Sequence, residues 1–264
     1  MKTPLTPVAL LLIAMGLLVC SVATAQDQDQ WRWQAGFYTW IAEMSGHATM
    51  AGNVLPFALD LDDVLDNGTG YNLHVEGMKG SQGFYLDGSY LKYNDSGMVV
   101  PEGETTAIEV RGELKEEIVE IGYIHDLWRK QLKPDNPAAA LDIKGYIGAR
   151  YTDMTVSAAV PSMSIVDERS DSWVDPIIGF TASMPVAMKV GIRLRGEYGG
   201  FGIGNACDST YKIRISALYL FNPKVMAELG WQWMGVDNDE LGTTGTTELD
   251  ITSSGPLLSL THNF

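Results

Sequence analysis

From residue 31 onward, apolar and polar residues alternate with a period of two over most of the chain, a pattern that predicts β-strands. Between residues 188 and 200, Val190, Ile192, Leu194 and Tyr198 fall on one face, and Arg193, Arg195 and Glu197 on the other. Downstream, Tyr211, Ile213, Ile215, Ala217 and Tyr219 oppose Lys212, Arg214 and Ser216. Leu141, Ile143, Ile147 and Tyr151 oppose Asp142, Lys144 and Arg150, and Leu229, Trp231 and Trp233 oppose Glu228 and Gln232. Strands are predicted at residues 31–43, 71–80, 82–94, 107–127, 140–155, 172–184, 188–200, 210–220, 224–236 and 255–264. The expected fold class is all-β, a closed antiparallel up-and-down transmembrane β-barrel of about ten strands, with eight and twelve as alternatives.

Alternation alone leaves inside and outside exchangeable. A soluble barrel turns its apolar face inward, and a membrane barrel turns it toward lipid. Link lengths decide between them. The links at 80–82, 185–187 and 221–224 are tight, while 44–70, 156–171 and 237–254 are long, as with short periplasmic turns and long outer loops. Both termini then lie in the periplasm, and only the 128–139 link is longer than its side leads one to expect. Trp31, Trp33, Trp128, Phe221 and Phe264 fall near strand ends, where amphipathic rings sit at headgroup level. The final strand ends in Phe264, which resembles the C-terminal signal read by the barrel-assembly machinery.

The N-terminal stretch joins Lys2, an apolar run from Val8 to Val19 and the small-residue ending Ala23-Thr24-Ala25. Residues 1–25 are expected to be a cleaved signal peptide and 26–264 a single outer-membrane barrel domain. A lipoprotein signal at Cys20 is the alternative, and Val19 stands where that motif wants a small residue. Beyond Gln26 no apolar run reaches the ~18 residues of a helical span.

The chain carries 33 Asp+Glu against 18 Lys+Arg, one of which is Lys2 in the leader, so nucleic acid is not an expected partner. Outer-membrane lipid and the assembly machinery are, and a monomer is expected. Cys207 is the one cysteine beyond the leader, so no internal disulfide can form. Stability has to come from closing the sheet, which pairs every strand edge where an orphaned backbone group is costly.

The polar stripe supplies the candidate site. Glu76, Glu120, Asp142, Lys144, Arg150, Asp175, Arg193, Arg195, Glu197, Lys212, Arg214 and Glu228, with His74 and Asp87, are expected to face the lumen and pair across it. Rings of charge can select small solutes; a neutralised network seals and rigidifies. Ten strands leave a narrow lumen, which favours the sealed plug.

Other features point to no catalytic residue, cofactor or metal. Gly199, Gly200, Gly202 and Gly204 lack the spacing and following helix of a phosphate loop, and Gly196, Gly199 and Gly200 are expected to let a strand bend or bulge. Asp60, Asp62, Asp63 and Asp66, and Asp237, Asp239 and Glu240, are acidic but lack calcium-loop spacing. Residues 62–65 are expected to open a short helix. His47, near the outer rim beside acidic loops, is the minimum for a barrel hydrolase of the Asp/His type, while His125 and His262 look interfacial. Cys207 reads as incidental in an outer loop.

Ser172-Trp173-Val174-Asp175-Pro176-Ile177-Ile178-Gly179, and the run from Arg193 to Gly204, resemble a widespread family of proteobacterial outer-membrane β-barrel proteins. Residues 62–94 and Ser254-Gly255-Pro256-Leu257 resemble it too, so the likeness spans nearly the whole chain after the leader. It implies an outer-membrane barrel and transfers no substrate or catalytic residue. The chain departs from the pattern at Cys207 and in the Thr/Gly-rich 237–254 stretch.

Overall fold

A computed structural model describes residues 30–50, 53–99, 108–132, 140–163, 165–241 and 247–264. The expected leader lies outside the described residues, as does most of the second half of the 128–139 link.

The described chain forms β1 (Arg32–Trp40), β2 (Glu43–Met50), β3 (Asn53–Leu59), a short helix α1 (Leu61–Asn67), β4 (Gly68–Lys79), β5 (Gln82–Val99), β6 (Ile108–Gln131) and β7 (Ala140–Val160). After one 3-10 turn at Pro161–Met163 come β8 (Ile165–Pro185), β9 (Val190–Gly200), β10 (Ser209–Asn222), β11 (Val225–Leu241) and β12 (Thr247–Asn263). β1 pairs with β4, and each strand from β4 to β12 pairs antiparallel with the next. β12 returns to β1, from Gln34 opposite Asn263 to Trp40 opposite Leu257, and closes a ten-stranded barrel. The Phe264 N–H completes the seam on the Trp33 carbonyl at 2.9 Å.

The wall obeys the alternation set by the sequence. Phe37 is 73% exposed and Ile121 and Leu229 about 60%, whereas Glu120 and Arg150 are 1% exposed. In a lone chain that inversion identifies the apolar face as the one toward lipid and the charged face as the core. At the end that carries Gln30 and Phe264, Trp31, Trp33, Trp128, Phe221 and Phe264 are all exposed on the rim, as expected of a girdle. Trp31 and Trp33 stack at 5.5 Å.

The distal end departs from the expected loops. Residues 44–70 contain an antiparallel hairpin, β2 with β3, followed by α1. β2 adds to the far end of β12, with Glu43 opposite Ser254 and Ala48 opposite Leu249. Much of 156–171 and 237–254 continues the ladders, since β7 and β8 stay in register to Val160 opposite Ile165, and β11 and β12 to Leu241 opposite Thr247. These stretches lack the regular alternation of apolar and charged residues, as in Val54-Leu55-Pro56-Phe57-Ala58-Leu59 and Val156-Ser157-Ala158-Ala159-Val160, and so escape a reading that seeks an apolar stripe. Beyond the membrane, strand faces have no lipid to require one.

Residues 62–65 do lie in a helix, α1, whose first turn is held by Asp63 accepting the Asp60 N–H at 3.1 Å. The expected glycine bulge is absent. β9 pairs with β8 and β10 without a register shift through Gly196, Gly199 and Gly200. The glycines serve the turn that follows, where Gly200, Gly202 and Gly204 have φ of +89°, +60° and +70°. Phe201, at φ +69°, takes the same left-handed region without a glycine's freedom.

Candidate functional site

Inward-facing residues of ten strands converge on the lumen, and the structure arranges them in three zones along the axis. The middle zone is a cluster of charge. Glu120 on β6 accepts from Arg150 Nε on β7 at 2.9 Å and from Lys212 Nζ on β10. Arg150 Nη2 donates to Glu197 on β9, and its Nη1 donates to Thr210 Oγ1 at 3.0 Å. Arg195 lies 3.6 Å from Glu120 and 3.4 Å from Glu197, and Lys212 lies 3.7 Å from Glu197. Three cations thus share two carboxylates. Tyr146 donates to Glu197 at 3.0 Å and accepts from Arg195 Nε at 2.9 Å, with the guanidinium 4.8 Å above its ring. Gly179 makes room for it, since a Cβ there would strike the Tyr146 phenol. Charges so deeply buried persist only when paired, because the desolvation of each is far larger than one imperfect contact returns.

The distal zone is apolar. Met44, Ile118, Met154, Trp173, Cys207, Met234, Val236 and Ile251 form one buried cluster, with Trp40, Leu59, Leu91 and Leu114 packed against it. Its members come from the wall, from the β2–β3 hairpin and from the 201–208 turn, so the elements beyond the barrel fold over its mouth. Asp175 fastens this cap. Its Oδ2 accepts from Trp173 Nε1 at 3.1 Å, and its Oδ1 accepts from the Cys207 N–H at 2.8 Å. Cys207, expected to be incidental in a loop, is fully buried. Burial first, and the Asp175 carboxylate next, push its thiol pKa up.

Toward the terminal end the lumen opens into a cavity of about 140 Å³. Lys144 pairs with Glu76 at 2.8 Å and Arg193 with Glu228 at 2.9 Å. His74 Nδ1 lies 2.9 Å from Asp87, which also accepts from the Tyr38 hydroxyl at 2.7 Å.

Of the twelve sequence-selected lumen residues, nine join these ion pairs: Glu76, Glu120, Lys144, Arg150, Arg193, Arg195, Glu197, Lys212 and Glu228. Three take other partners. Asp142 meets Arg129 at 3.3 Å near the terminal rim, because the β6–β7 ladder, past its register shift at Asp126/Trp128, sets the two opposite each other. Asp175 accepts two N–H groups in place of a cation. Arg214 donates to the neutral Gln232 Oε1 at 2.8 and 2.6 Å. Sequence reading missed Tyr38, Tyr146, Trp173 and Thr210. All four share the lumen parity, and only their neutrality concealed them.

His47 lies opposite Asp250, with the two side chains 4.0 Å apart, and their neighbours Gly46 and Ile251 take the inward parity. The pair therefore sits on the outer face of the distal wall.

No family model matches the chain, and no curated protein does. Solved structures do match. The outer membrane protease OmpT from Escherichia coli aligns with a TM-score of 0.52 at 11% identity, covering 92% of this chain and 99% of that chain. The transport unit of the autotransporter AIDA-I from Escherichia coli gives 0.43 at 9% identity over 96% and 97%. Ail, the attachment invasion locus protein of Yersinia pestis, gives 0.38 at 9% over 89% and 99%. At these identities the likeness to OmpT carries the fold, and the chain is a closed antiparallel barrel of the outer-membrane type.

Proposed function

We propose that this chain is a monomeric integral barrel of the bacterial outer membrane with a sealed lumen, serving as a structural or surface-interaction protein and not as a pore. The apolar cap over the buried charge cluster carries this reading. A water path along the axis would have to cross Trp173, Cys207 and Met234, then the Arg150–Glu197 layer, all of them buried. Ions entering the apolar cap would lose their hydration without gaining ligands, and the charges beneath it are already paired with one another.

The terminal end faces the periplasm in this reading, reached after removal of residues 1–25, and Phe264 is offered to the assembly machinery. The distal extensions of β5–β8, β11 and β12, with the β2–β3 hairpin, form the surface presented outward. His47 and Asp250 lie on the outward parity of β2 and β12, which sets them apart from the inward-facing charge cluster.

Fractionation and liposome permeability test the reading together. The protein is expected in the outer-membrane fraction, extractable only with detergent, and liposomes containing it are expected to retain small sugars. Recovery as a detergent-free soluble monomer would remove the membrane assignment, and rapid sugar efflux would remove the seal.

A further inference from the structure

We infer that the cavity in the terminal half of the lumen binds a small soluble oxyanion, such as phosphate, sulfate or a short carboxylate, reached from the periplasm. Its volume of about 140 Å³ is close to the ~150 Å³ that accommodates a benzene-sized guest. That admits a solute of a few heavy atoms and excludes an oligosaccharide or peptide.

Charge sets the sign of the ligand. Lys144, Arg193, Arg195 and Arg214 line the cavity, against the carboxylates of Glu76 and Glu228. Those two carboxylates pair with Lys144 and Arg193, and Glu228 also lies within the field of Arg214 without accepting a hydrogen bond from it. Asp87, behind the wall of the cavity, is committed to His74 and Tyr38. Arg195 shares Glu120 and Glu197 with two other cations. Arg214 has no carboxylate within 4.0 Å among the described residues. Its Nε and Nη2 both donate to one neutral oxygen, Gln232 Oε1, and its guanidinium lies 5.1 Å over the Tyr38 ring. The Nε of Arg193 is also buried with no acceptor among the described residues.

A partly buried guanidinium whose hydrogen bonds go only to an amide oxygen is under-compensated, and the cations that line the cavity outnumber its lining carboxylates. An oxyanion supplies that charge, and the planar fork of arginine binds such oxygens in pairs. The hydroxyls of Ser259 and Thr261 complete a polar wall that can donate to the remaining oxygens.

The site goes beyond the sealed-barrel reading, and the two can fail separately, since binding is read in solution and sealing across a bilayer. The test is calorimetric titration of the full chain in detergent micelles with inorganic phosphate at constant ionic strength. Saturable one-to-one binding is expected with Kd below about 10 mM, weakened about tenfold or more by Arg214→Gln. Arg214→Lys keeps the charge and loses the fork, so its weakening is expected to be smaller; it serves also if the glutamine variant does not fold. Phosphatidylglycerol doped into the micelle carries the same phosphate chemistry on a lipid and is expected not to compete. No saturable binding, equal binding by the wild type and both variants, or binding of the lipid alone would each overturn the proposal.

Discussion

Arg150 and Glu197 stand on β7 and β9, on either side of β8, and their side chains meet in the centre of the lumen with both almost wholly buried. The contact joins β7 to β9 across β8 through the interior, while Thr210 and Glu120 extend it to β10 and β6. In a barrel without a disulfide, such contacts resist collapse or shear of the strands, a task the lipid-facing side chains cannot perform.

Removing one partner should therefore cost more than removing both. Arg150→Met is expected to destabilise the folded barrel by about 3–5 kcal/mol, because Glu120 and Glu197 lose their main donor. Adding Glu197→Gln to it should recover part of the loss. Urea unfolding in micelles, followed by tryptophan fluorescence, measures the cycle, and additive losses would contradict the coupling.

Trp173 is the largest fully buried side chain and the centre of the distal cap. Trp173→Ala is expected to cost about 3–5 kcal/mol through the cavity it leaves. It should also admit solvent from the outer side, read as faster quenching of the remaining tryptophans by acrylamide. Unchanged stability would mean that the cap is not packed as described.

Cys207 should resist maleimide in the folded protein and react freely after unfolding, since the thiol is buried and its pKa is raised above the ordinary thiol range. A raised thiol pKa lowers the thiolate fraction at every pH below it, so labelling stays slow at about pH 8. Asp175→Ala frees the 201–208 turn from its Asp175–Cys207 bond and is expected to speed labelling. Wild-type labelling at the rate of an exposed thiol would refute the burial.

The lipid-facing stripe makes a depth-dependent forecast. Ile147→Arg, on the exposed apolar face of β7, is expected to cost about 2–4 kcal/mol, against about 0–1 for arginine at the interface. Thr155→Arg, on the same face of β7 but toward the distal end, is the comparison. Equal effects at both positions would contradict a bilayer around the barrel.

Much of this was legible in the chain because parity is a local property. Once Arg193, Arg195 and Glu197 are seen to alternate with Ile192 and Leu194, their shared direction follows from the pleat. The ten-strand count and the closing β12–β1 pair also followed from spacing and loop asymmetry. The distal architecture did not. The β2–β3 hairpin pairs with the far end of β12, remote in sequence, and the charge of Asp175 points to an ionic partner although its oxygens accept two N–H groups. Cys207 was read by its neighbours in sequence, which are loop-like, while its burial comes from strands far away in the chain. Such contacts depend on which strands meet at the mouth, and no window of sequence contains that.

The sealed lumen is tested most directly by planar-bilayer recording of the purified full chain. No steady conductance above the bare bilayer is expected at any ordinary voltage, and Arg193→Gln with Arg195→Gln should leave that baseline unchanged. A stable conductance whose size or ion preference shifts in the double variant would show a continuous water path through the charge cluster and contradict the plug.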